Sequence, residues 1–108
     1  MAAIDAVIEH RSRYAVDVLS RYTSVAAAYL FGAWVEGSAD DWSNIDLAVF
    51  LEGIESWDLA TRAHTASLVQ EKAGDDIKLH FFSARLLHQP EPVSFAAYVL
   101  MHGVAITP

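Results

Sequence analysis

Apolar residues recur at two different periods along the chain, and the change of period divides it into helices and strands. From Ala3 to Arg21, Ile4, Val7, Ile8, Tyr14 or Ala15, Val18 and Leu19 fall three and four apart, with Asp5, Glu9, Arg11, Arg13 and Asp17 largely opposite. That spacing predicts an amphipathic helix whose arginines form a solvated face. Thr23 and Ser24 turn into an apolar run, Val25 to Phe31, and Ile45 to Leu51 is a second; both suit a pleated, buried surface. Gly32 follows the first run directly, Ala33 to Ser38 read as one helical turn, and the acidic Asp40-Asp41 pair with Trp42 reads as an exposed loop. Ser56 is placed to cap a helix reaching Lys72 or Ala73, with Leu59, Ala63, Ala66 or Ser67, Leu68 and Val69 inward and Gly74 closing it. Asp76 to Phe82 then alternates strictly. Ile77, Leu79 and Phe81 share one face, and Asp76, Lys78, His80 and Phe82 the other, which predicts a third strand. Ser83 caps a short helical turn through Leu87, and the Gln89-Pro90-Glu91-Pro92 stretch breaks the chain. Ser94 to His102 form a last apolar helix before Gly103, and Val104 to Ile106 a brief edge strand.

This order of elements predicts a single α/β domain over 1–108, a small mixed sheet backed by helices. The 108 residues suffice for one core and leave no room for a second catalytic domain. With 54% hydrophobic residues and a mean hydropathy of +0.25, the chain is rich in apolar side chains for its size, and an oligomer or heteromer that covers some of them is expected. No apolar run is long enough to span a membrane. Asp5 and Glu9 interrupt the beginning of the chain, which does not read as a signal peptide. The absence of cysteine removes disulfides and thiolate metal sites, and fits a cytoplasmic protein. Fourteen acidic against seven basic residues give a net charge of -7, which argues against direct gripping of a nucleic-acid backbone.

The chemistry concentrates between Tyr29 and Leu51. Asp46 lies within an apolar strand between Ile45 and Leu47, and a carboxylate there needs a partner: a metal ion, a lysine or a hydrogen-bond network. Asn44 stands two residues earlier and shares its face if both are in the strand. The order Leu30-Phe31-Gly32-Ala33, then Gly37, then Ser43-Asn44-Ile45-Asp46-Leu47 resembles the signature of the nucleotidyltransferase superfamily that includes DNA polymerase beta. It is most similar to the minimal nucleotidyltransferases, which are commonly paired with helical HEPN proteins in toxin–antitoxin modules.

The resemblance implies a nucleotidyltransferase fold and a magnesium-dependent transfer of a nucleoside monophosphate, AMP from ATP, to a hydroxyl acceptor. It places Gly32, Ala33, Gly37 and Ser43 around the nucleotide, Asp46 and Asn44 on the metal, and Asp46, Asn44 and Asp76 or Lys78 at the catalytic positions. Its implied partners are a nucleoside triphosphate and either a second copy or a small helical HEPN-type protein. Three positions in the signature depart from the family pattern: Ala33 replaces a serine, Glu36 a frequent basic residue, and Asn44 the first of two aspartates. A fourth departure lies on the third strand, where Lys78, flanked by Ile77 and Leu79, stands at the third carboxylate position. The second function consistent with these residues is therefore a catalytically inactive member that binds a nucleotide or a protein partner. His64 reads as structural, as does His80, for which general-base chemistry is the alternative.

Overall fold

The computed structural model describes residues 4–107. Helix α1 runs over Ala6–Ser20 and is capped by Asp5, whose carboxylate accepts from the N–H groups of Val7 and Ile8. The expected start at Ala3 lies outside the described residues. Ile8, Ala15, Val16, Val18 and Leu19 are buried, whereas Val7 and Tyr14 turn outward. Ser12 is buried among them without penalty because its hydroxyl donates to the Ile8 carbonyl at 2.7 Å.

Strand β1 (Val25–Phe31), the short helix α2 (Ala33–Glu36) and strand β2 (Ile45–Leu51) follow. Gly53, at φ 76°, turns the chain into a 3-10 turn over Ile54–Ser56. Helix α3 then covers Leu59–Ala73 and strand β3 Ile77–Ser83. Ser56 does not cap α3 as its position suggested. Its hydroxyl donates back to the Gly53 carbonyl at 2.9 Å, and Asp58 takes the cap by accepting from the Thr61 N–H at 2.7 Å. The buried face also differs from the expected one. Thr65, Val69 and Ala73 point inward, and Leu59 is left in solvent.

After a 3-10 turn over Ala84–Leu87, helix α4 (Phe95–His102) and the two-residue strand β4 (Val104–Ala105) complete the chain. The sheet order is β3-β2-β1-β4. β1 is antiparallel to both β2 and β4, while β2 and β3 are parallel, joined by the crossover through α3. The result is the mixed α/β sheet with helical backing that the element order predicts.

Alternation along the strands divides the core into two layers. Leu30, Ile45, Leu47, Val49, Leu51 and Ile77 face α1 and α3. Phe31, Ala48 and Phe50 face the other way, beneath Ala96 and Val99 of α4, with Tyr29, Phe82, Leu86 and Leu87 at the margin. Asp46 has the parity of this second layer. α4 covers the layer only in part, and the open remainder is where the polar side chains of β2 and β3 come together.

Candidate functional site

Asp46 is the second residue of β2 and pairs with Phe31 of β1 on one side and Lys78 of β3 on the other. It is largely sheltered, its side chain 23% exposed, so a hydrogen-bond partner is required. That partner is His80, whose Nε2 lies 3.1 Å from Oδ1 of Asp46. Lys78, the register partner, is exposed and forms no ion pair with Asp46 among the described residues. The parallel register explains the choice: His80 stands opposite Ala48, two positions further along the same face, and its ring reaches back across the strand to the carboxylate. Phe31 holds that ring edge-on, with centroids 4.9 Å apart.

Gly32 is fixed by the same carboxylate. Its backbone sits at φ 79°, where side chains are strongly disfavoured, and a Cβ built there would stand 2.9 Å from Oδ2 of Asp46. Glycine is therefore needed both for the turn and for the close approach to Asp46. In α2 the N–H groups of Val35 and Glu36 bond the Gly32 carbonyl, and those of Gly37 and Ser38 bond the Ala33 carbonyl. The turn thus consumes most of its own donors, and Gly37 serves as its left-handed C-cap at φ 85°.

The remaining residues expected at the site are dispersed. Ser43 is engaged inside its loop, accepting from the Asp40 N–H at 2.9 Å and donating to the Asp40 carboxylate at 3.1 Å. Asn44 is exposed and precedes β2 rather than lying in it. Asp76 precedes β3, and its carboxylate turns to α1, where Arg11 grips it at 2.8 and 2.5 Å and also donates to the Ala73 carbonyl at 3.0 Å. Arg11 is thus a clamp rather than a member of a merely solvated face. Its hydrogen bonds and charge hold the Asp76 carboxyl below its ordinary pKa. Gly74 leaves the space in which this pair sits.

His80 is the site residue that strand alternation alone did not single out. Its shared face with Lys78 was visible in the sequence, but its contact with Asp46 depends on the register between strands 34 residues apart.

Residues 15–106 match the family described as polymerase beta, nucleotidyltransferase. The chain belongs to this family. Among solved structures, a candidate nucleotidyltransferase from Sulfolobus solfataricus superposes with a TM-score of 0.65 at 14% identity, over 92% of this chain and 78% of that one. The likeness extends the shared nucleotidyltransferase fold across nearly the whole domain. No curated protein matches the sequence.

Family membership implies magnesium held by paired carboxylates, and the donor set of this nucleotidyltransferase domain does not fit it. Magnesium prefers oxygen ligands in a full octahedron. At nucleotide sites it is usually held by one or two carboxylates together with phosphate oxygens and water. Asp46 is instead engaged by an imidazole, with a lysine opposite in register and Asn44 outside the strand. Two hollows of the surface lie elsewhere. One of about 420 Å³ is lined by Ser83, Arg85, Leu86 and Gln89, and one of about 240 Å³ runs along α4.

Proposed function

We propose that this nucleotidyltransferase domain binds a nucleoside triphosphate at the Asp46–His80 face and does not carry out metal-dependent transfer. The observation that carries this reading is the contact of His80 with the carboxylate of Asp46. A histidine and a lysine occupy the row from which further carboxylates would have to reach a metal. Phosphate oxygens reaching this face would meet the carboxylate of Asp46 beside Gly32 and, in the next row, His80 and Lys78, whose donors can offset phosphate charge in place of a bridging cation. Transfer does need one, because the charge that develops on the leaving phosphate has no equivalent stabiliser here.

The test is incubation with labelled ATP and magnesium, using the unaltered protein, Asp46→Ala, and Asn44→Asp combined with Lys78→Asp. The unaltered protein is expected to gain melting temperature with ATP but to transfer no label. Label transfer that disappears in Asp46→Ala would overturn the reading in favour of a working AMP transferase.

A second reading, a role in binding a protein partner, is favoured by α4. Val93 and Met101 are 96% and 78% exposed, and Tyr98 is exposed beside them along the 240 Å³ groove. Such a contiguous apolar strip on a small domain suits a second copy or a helical HEPN-type protein, as in an antitoxin subunit. Met101→Glu is expected to leave the melting temperature unchanged and to abolish association with such a partner in sedimentation velocity. Association that persists in this variant places the interface elsewhere.

A further inference from the structure

We propose that Phe95 is the platform on which the base of the bound nucleotide stacks. This inference rests on the nucleotide-binding reading above and adds the part of the ligand that the Asp46–His80 face does not address.

Phe95 is the first residue of α4, and its ring is fixed by three other rings. Phe31 lies 5.3 Å away at 82°, His80 5.8 Å away at 88°, and Phe82 5.7 Å away at 69°, all in edge-to-face arrangements that suit aromatic quadrupoles. The start of the helix that carries it is fixed as well, because the Ser94 hydroxyl accepts from the Ala97 N–H at 3.1 Å. Yet Phe95 remains 48% exposed. Its packing thus orients the ring while leaving part of it in solvent.

The location gives that exposed surface a use. His80 touches both Phe95 and the carboxylate of Asp46, so the free part of the ring lies one side chain away from where the phosphates are proposed to bind. The strip continues along α4 to Tyr98, whose hydroxyl donates to Glu36 of α2 at 2.9 Å. That bond ties α4 to the turn that begins at Gly32. Phosphates at Gly32 and His80, with a sugar leading outward, bring the base against Phe95. Stacking on a phenylalanine ring adds affinity without selecting among bases, since every base offers a π-face, and larger purine rings gain more contact. The ligand class is therefore a nucleoside triphosphate, held at its base by contact rather than by hydrogen-bond readout, with purines gaining only from their larger ring area.

The test measures binding of ATP and of inorganic tripolyphosphate to the full chain by calorimetry. Phe95→Ala and Phe95→Leu are each expected to weaken ATP at least roughly tenfold and to leave tripolyphosphate unchanged. The leucine variant keeps apolar volume in case the alanine variant unfolds. Phe95→Trp is expected to restore ATP binding and to show fluorescence quenching by ATP, absent with tripolyphosphate. ATP affinity unchanged in the leucine variant, or ATP and tripolyphosphate weakened equally, would overturn the role of Phe95 while leaving nucleotide binding intact. Failure of the unaltered protein to bind ATP at all would instead overturn the nucleotide reading on which this one stands.

Discussion

At the scale of the residue, two contacts define the positions that tolerate least change. Gly32 combines a positive φ with a neighbour 2.9 Å from where a Cβ would be. Gly32→Ala is expected to cost about 1–3 kcal/mol in urea unfolding, since both the backbone and Asp46 must shift. The Arg11–Asp76 pair sets a second prediction. A carboxyl held below its ordinary pKa stabilises the fold fully above its unfolded value and loses that contribution as pH falls through its folded value. Asp76→Asn should therefore destabilise by about 1 kcal/mol at pH 7, the pair being only partly buried. The gap between the two proteins should close in strong acid, below the carboxylate's ordinary 3.8, when the unfolding series is repeated there. Of these positions, Gly32 was legible from the sequence because a glycine directly after an apolar strand announces a turn. The pairing of Asp76 with Arg11 was not, because the partners are 65 residues apart and alternation predicts only the face of a residue inside a strand.

At the scale of the element, the strands and helices follow from local pattern, and the discrepancies arise where a side chain has two uses. Ser56 has the composition of a helix cap but spends its hydroxyl on the preceding 3-10 turn, so Asp58 takes the cap of α3, and Leu59, its first residue, lies exposed. Asp76 to Phe82 alternates as a strand should, and β3 does form, beginning one residue later at Ile77. That single residue decides whether Asp76 belongs to the face of Asp46 or turns to the helical layer. α4 depends on its cap more than longer helices do, having only eight residues. Ser94→Ala should cost about 1 kcal/mol. Hydrogen exchange should accelerate along α4 while the amides of β2 stay protected, and uniform acceleration would mean that α4 does not open independently.

At the scale of the whole molecule, the domain has the nucleotidyltransferase sheet, with His80 and Lys78 in the row beside Asp46 on one face. The fold was readable because it rests on a sequence of periods and breaks, which survives substitution at single positions. The site was only partly readable because it is assembled by register, and register between parallel strands is set by the crossover and the core rather than by either strand alone. The sheet order has a further consequence. β3 lies at the margin of the sheet, bonded on one side to β2, and among the described residues Gln70 caps the first of its carbonyls, that of Ile77, at 2.8 Å. An unpaired margin of this kind invites the strand of another molecule, and a solvent-facing lysine is a common deterrent. Lys78 therefore has a reason to be basic that owes nothing to nucleotides. Lys78→Val should increase light scattering on concentration, whereas Lys78→Glu, also charged, should stay clear. Lys78 would then be what keeps copies of this sheet from joining edge to edge.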